Sequence, residues 1–165
     1  SSAAKLTFDP ALDAVDRRIL AALQLQGRIT YDELAAQVQL SASAVLRRVR
    51  RLEEAGVIVG YAAIVPPARL GLGLCAYVEV QLQRPSDVRG DTFTEQFRAA
   101  VQDWPEVVEC ACLSTGMSYL LRVVVADMAH YGRFMMDTLL KHPGVQDCKT
   151  SFVLDQIKHQ RALPL

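Results

Sequence analysis

Apolar residues in the first third of the chain recur at helical spacing. Leu12, Val15, Ile19, Leu20 and Leu23 share one stripe, with Asp13 placed to cap it and Gly27 to end it. Thr30-Tyr31-Asp32-Glu33 has the T-x-x-E spacing of a capping box and opens a second helix through Leu34, Ala35 and Val38. Leu40-Ser41 breaks that helix. Ser41 caps a third, which runs to Gly56, a residue suited to the left-handed position past a helix end. Three short helices, the last two joined by a tight turn, predict a helix-turn-helix. Val57-Ile58-Val59 and Tyr61 to Val65, around Gly60, are apolar and β-prone, and predict a small hairpin, or wing. Pro66-Pro67 cannot feed a ladder and marks a linker.

Beyond the prolines the period changes. Leu74, Ala76, Val78, Val80 and Leu82 alternate with Cys75, Tyr77, Glu79, Gln81 and Gln83, which predicts a half-buried strand. Residues 84–90 read as loop. Phe93, Phe97, Ala100, Val101 and Trp104 predict a helix stopped by Pro105. Residues 107–113 and 119–126 predict strands joined at Ser114-Thr115-Gly116. Residues 128–141 predict a helix with Tyr131, Phe134, Met135, Thr138 and Leu139 inward, and residues 145–157 a last strand. The order β-α-β-β-α-β is that of a ferredoxin-like sandwich, an antiparallel sheet with both helices on one face. The class is therefore α+β. Residues 1–62 form a winged helix-turn-helix, 63–73 a linker strand, and 74–165 a ferredoxin-like domain for effector binding and oligomerisation. Val and Leu on the uncovered sheet face predict burial by a second copy.

Composition narrows the function classes. The chain of 165 residues is 51% apolar and 22% charged, with net charge zero. Residues 1–62 hold 8 Lys+Arg against 7 Asp+Glu, and residues 63–165 hold 10 against 11. Any affinity for nucleic acid must therefore come from local clustering. No window approaches the roughly 18 uninterrupted apolar residues of a membrane span, and the N-terminus shows no secretory signal pattern. The expected setting is the cytoplasm, with Cys75, Cys110, Cys112 and Cys148 reduced. Their spacing lacks a CxxC and the histidines are scattered. Small buried hydrophobes describe these cysteines better than metal ligands do, and no cofactor is expected.

The local cluster is Arg47-Arg48-Val49-Arg50-Arg51. At about 100° per residue, Ala42, Val45, Val49 and Leu52 form the core stripe of the third helix. Ser43, Arg47, Arg50 and Glu54 point away from it, Ala44 and Arg51 lie on the shoulder, and Arg48 flanks the core, where an acid from another helix would pair with it. Small residues at the helix start (Ser41, Ser43, Ala44) let it approach base edges, while the arginines further along reach guanines or phosphates. The candidate DNA contacts are Ser41, Ser43, Ala44, Arg47, Arg48, Arg50, Arg51 and, in the wing, Tyr61.

An ordered set of residues resembles the Lrp/AsnC, or feast/famine, family of bacterial transcription regulators. Leu12-Asp13, Asp16 and Ile19-Leu20 resemble its opening helix, and Gly27-Arg28-Ile29 its first turn. Arg48-Val49, Leu52-Glu53, Gly56-Val57-Ile58 and Gly60-Tyr61 resemble its third helix and wing. Pro105-Glu106-Val107, Tyr119-Leu120-Leu121 and Pro143-Gly144-Val145 resemble its amino-acid-responsive domain. The resemblance implies a homodimer assembling further, often to a tetramer of dimers, on pseudo-palindromic operators in double-stranded DNA. It also implies an amino acid or other small-metabolite effector held between sheet domains. Family members carry a Gly-Asp-x-Asp-Tyr-like loop between the second and third strands of that domain. The corresponding segment here, Ser114-Thr115-Gly116-Met117-Ser118-Tyr119, supplies no acid to hold an ammonium group. A changed effector, or none, follows. These residues and Thr150 are the effector candidates. Two other functions fit the architecture: a sirohaem-type decarboxylase, which would need His and Arg gathered over a tetrapyrrole, and a ligand sensor that no longer binds DNA.

Overall fold

Capping chemistry sets the helical unit. The computed structural model describes residues 12–83, 92–114, 118–159 and 162–165. Helix α1 (Ala14–Leu25) starts at Asp13, whose carboxylate accepts from the Val15 and Asp16 backbone N–H groups, while Asp16 returns the bond to Asp13 N–H. Helix α2 (Tyr31–Val38) carries the expected reciprocal box between Thr30 and Glu33. Gln39 takes the left-handed conformation (φ 58°) that ends it. Helix α3 (Ala42–Glu54) begins at Ser41, whose hydroxyl accepts from Ala44 N–H, and stops before Gly56 at φ +71°. The core of this unit is Ile19, Leu34, Ala35, Val38, Val45, Val49 and Leu52, with Ile29, Val57 and Ile58 packed against it.

The expected hairpin after α3 is corrected by the structure. Residues 57–66 pair with no strand among the described residues. Val57 and Ile58 turn back onto the Leu52 carbonyl instead. The chain then follows no regular element up to Pro66 and exposes Val59, Tyr61, Ile64 and Val65. The expected linker strand is likewise replaced, by a single 3-10 turn over Pro67–Leu70 closed by left-handed Gly71.

The second unit holds a four-stranded antiparallel sheet ordered β2-β3-β1-β4, from β1 (Leu74–Leu82), β2 (Val107–Cys112), β3 (Ser118–Val125) and β4 (Val145–Phe152). Helices α4 (Thr92–Ala100) and α5 (Met128–Phe134) complete the ferredoxin-like order. The alternation in β1 is realised: Ala76, Val78, Val80 and Leu82 are buried with Phe97, Val101, Leu121, Val123, Tyr131, Phe134 and Leu139 in one core. The loop expected at 84–90 lies outside the described residues.

Three expectations for this unit change. The last strand ends at Phe152 rather than residue 157. The second helix widens into a π-turn at Met135–Leu139. Residues five apart on an α-helix diverge by about 140°, and the wider turn returns the buried Leu139 toward the side of Phe134. The uncovered sheet face, expected to carry Val and Leu, is mixed: Tyr77, Glu79 and Gln81 of β1 oppose Ser151, Lys149 and Asp147 of β4. Arg122 of β3 bridges Glu109 of β2 at 2.9 Å. In β3 the alternation sends Tyr119, Leu121, Val123 and Val125 to the helix-covered core and leaves Leu120, Arg122 and Val124 on the other face.

By internal contacts the chain divides into residues 1–64 with 158–165, and residues 65–157. In the first of these Leu163 is bound to Gln24 of α1. The Gln24 side-chain amide donates to the Leu163 carbonyl at 3.3 Å and accepts from Leu163 N–H at 2.6 Å.

Candidate nucleic-acid interface

Helix α3 is held by its apolar stripe, which buries Val45, Val49 and Leu52 against α1 and α2. This leaves the arginines on two sides. Arg48 and Arg51 are three residues apart and face α1. Arg48 Nη1 donates to Asp13 Oδ2 at 2.7 Å and to Asp16 Oδ1 at 2.8 Å, and Arg51 Nη2 donates to Asp16 Oδ2 at 2.5 Å. Asp16 is fully buried. Two charge-assisted bonds and the Asp13 N–H satisfy it, as a buried carboxylate requires. The Asp16 N–H bond, then Arg48, hold the Asp13 carboxyl below its ordinary pKa, and Asp13 with Asp16 pushes the guanidinium of Arg48 further up.

Arg47 and Arg50, also three apart, are exposed and form no ion pair among the described residues. With Ser43, Leu46, Arg51 and Glu54 they line a depression along the outer face of α3. Ser43 shares a hydroxyl–hydroxyl contact of 3.2 Å with Ser41 at the helix start, and Ala44 is half-buried just behind. The expected pairing of Arg48 is therefore present. Arg51, expected on the shoulder of the helix as a DNA contact, has its guanidinium on Asp16 although 54% of the side chain remains exposed. Tyr61, expected to reach DNA from a wing, donates its hydroxyl to Glu53 Oε1 at 3.0 Å. Burial first, and then Glu53, push that phenol up to about 12. Sequence reasoning missed Glu53 as the anchor of Tyr61 and Asp16 as the shared anchor of two arginines. The signal for the second was present, since Asp13 and Asp16 at i, i+3 share a face.

The described effector candidates do not converge. Thr115, Gly116 and Met117 lie outside the described residues. Ser114 is exposed, while Ser118 and Tyr119 are buried at the start of β3. The Tyr119 ring lies 4.9 Å from that of Phe97, and its hydroxyl meets the Arg98 guanidinium. Thr150 sits opposite Val78, half-buried, with its hydroxyl 2.5 Å from the Tyr131 hydroxyl and so committed to that contact. All four cysteines are free, and burial pushes the Cys148 thiol up to about 11. No group of three or more metal-ligating side chains occurs among the described residues. No helix among them is long and apolar enough to cross a membrane. His130 is occupied by Glu106 and the Ala126 backbone, and His142 lies edge-on to Phe97 and Trp104.

Comparison with known proteins places these features in one family. Residues 12–59 match the winged helix-turn-helix DNA-binding model and residues 75–163 the Lrp/AsnC ligand binding domain. The chain is 43% identical over 152 residues to the leucine-responsive regulatory protein of Salmonella typhimurium, covering 92% of this chain and 90% of that one. A transcriptional regulator of Neisseria meningitidis, solved as a complex with L-Met, superposes with a TM-score of 0.86 at 43% identity, covering 93% of this chain and 96% of the other. The feast or famine regulatory protein of M. tuberculosis, complexed with L-methionine, gives a TM-score of 0.78 at 31% identity, covering 93% and 99%. These relatives are regulators and lend no support to a decarboxylase. The chain belongs to the Lrp/AsnC family of DNA-binding transcriptional regulators.

Proposed function

We propose that the chain recognises operator DNA through the outer face of α3, with Ser43, Arg47 and Arg50 as the contacting residues. The observation that carries this is the division of the four arginines: two are neutralised by α1, and two stand unpaired on the exposed face. Ser41 and Ala44 admit the helix start to the groove, Arg48 ties α3 to Asp13 and Asp16 of α1, and Tyr61 braces the chain leaving α3 through Glu53. One helix covers only a few base pairs. A homodimer, itself assembling toward a tetramer of dimers, would place two such helices about 34–36 Å apart on a pseudo-palindrome. The site of action is the cytoplasm. Electrophoretic mobility shift on a duplex from the chain's own upstream region tests the reading. The parent should bind and weaken with salt, and Arg47→Ala with Arg50→Ala should lose at least about thirtyfold, or ~2 kcal/mol. Unchanged binding by that double variant would refute it.

The L-Met complexes of the two relatives support an amino-acid-class effector for the sheet unit. Thermal shift against L-methionine and a panel of other amino acids tests this part. A ligand at about 100 times its Kd should add about 2.7 kcal/mol, and a flat response across the panel would exclude the class.

A further inference from the structure

Asp16 is an acid with no exposed surface, in a helical unit whose other buried side chains, among the described residues, are apolar. Both of its oxygens are committed, Oδ1 to Arg48 and Oδ2 to Arg51 and the Asp13 N–H. The four arginines of α3 form two i, i+3 pairs. One pair, Arg48 and Arg51, is turned to α1 and balanced by Asp13 and Asp16. The other, Arg47 and Arg50, keeps its full charge at the surface. Counterion release on DNA binding is proportional to the number of phosphates neutralised, and a guanidinium already matched to a carboxylate releases little.

We propose that Asp16 is a positioning residue for DNA binding: it withholds Arg51, together with Arg48, from the phosphate backbone and leaves Arg47 and Arg50 as the cations of α3 that exchange with it. The proposal rests on α3 being the contacting helix. Its consequence is discrimination. Backbone attraction is blind to sequence, so silencing half of the cluster lowers binding to random DNA more than binding to the operator, where base contacts add their share.

The slope of log affinity against log salt reads this directly, because each phosphate-contacting cation contributes about 0.9. The full chain is titrated by fluorescence anisotropy with a mixed-sequence duplex of about 30 base pairs, across roughly the 50–200 mM salt range in which such slopes are read. Arg47→Ala and Arg50→Ala should each flatten the slope by about 0.9 per bound protomer. Arg51→Ala should keep the parent slope. Asp16→Asn should steepen it by about 0.9 per protomer as Arg51 is released, and should bind the mixed-sequence duplex more tightly at low salt. A purely structural role for Asp16 would lower the melting temperature without steepening the slope. Flattening by Arg51→Ala equal to that of Arg47→Ala overturns the proposal, and so does a folded Asp16→Asn with the parent slope. Should Asp16→Asn lose its near-ultraviolet circular dichroism, the Arg51→Ala slope alone decides. A parent with no salt-dependent binding, or Arg47→Ala and Arg50→Ala both at the parent slope, would bring down the reading of α3 as well as the proposal.

Discussion

Arg47 and Arg48 are neighbours in sequence and differ in everything else. Arg48 bridges two carboxylates of α1, one of them fully buried, whereas Arg47 forms no ion pair among the described residues. Arg48→Ala should therefore cost about 2 kcal/mol, less than the roughly 3–5 kcal/mol of stripping a buried charge altogether because Arg51 still serves Asp16. Arg47→Ala should stay within about 0.5 kcal/mol of the parent. Urea denaturation of the two variants distinguishes them, and equal losses would contradict the assignment. Acid adds a second test of the same contacts. Asp13 and Glu33 are both held below their ordinary pKa, Asp13 by the Asp16 N–H and then Arg48, Glu33 by the Thr30 N–H and then its hydroxyl. For a lowered carboxylate the contribution is complete above its unfolded value, about pH 4. It fades as the pH falls through the folded value. Melting temperature should decline below about pH 4, and Asp13→Asn should make that decline shallower. A variant curve running parallel to the parent would show that Asp13 carries none of it.

At the scale of elements, caps and alternation were legible and pairing was not. Asp13, Thr30 and Ser41 announced three helix starts because a short side-chain oxygen ahead of an apolar period has a local use. Alternation announced β1. The stretch 57–65 has the composition of a hairpin, yet composition does not supply a partner, and the segment pairs with no strand among the described residues. The π-turn at Met135–Leu139 was equally illegible, since it follows from how Leu139 reaches the sheet rather than from any residue type. Two glycines separate backbone strain from packing. Gly56 and Gly144 both have positive φ, +71° and +84°. A Cβ on Gly56 meets nothing within 4 Å, while one on Gly144 falls 2.5 Å from Phe93 Cγ. Gly56→Ala should cost about 1 kcal/mol, the left-handed term alone. Gly144→Ala should lose about 1–3 kcal/mol more through overpacking. Chemical denaturation giving the two equal losses would mean that Phe93 moves aside freely.

For the whole molecule, the sequence disclosed two cores and the chemistry between chain and DNA more readily than the effector site. Each core follows a period of its own, 3.6 before the prolines and 2 along β1 after them, so both could be read position by position. The candidate effector residues could not, because a place on a strand does not reveal that the Tyr131 hydroxyl occupies that of Thr150. Separate cores should also melt separately. Leu121→Ala, a fully buried position of the sheet unit, should cost that unit about 2–5 kcal/mol and lower only its transition in calorimetry. A common shift of all the unfolding heat would show that the units unfold together. The clasp between Gln24 and Leu163 has a consequence in time. The helical unit includes residues 158–165, which a ribosome adds 94 residues after residue 64. At about 5–20 residues per second, the first unit to be synthesised waits roughly 5–20 s for its last piece. During that interval the Gln24 side-chain amide has neither the Leu163 carbonyl nor its N–H and must bond to water instead.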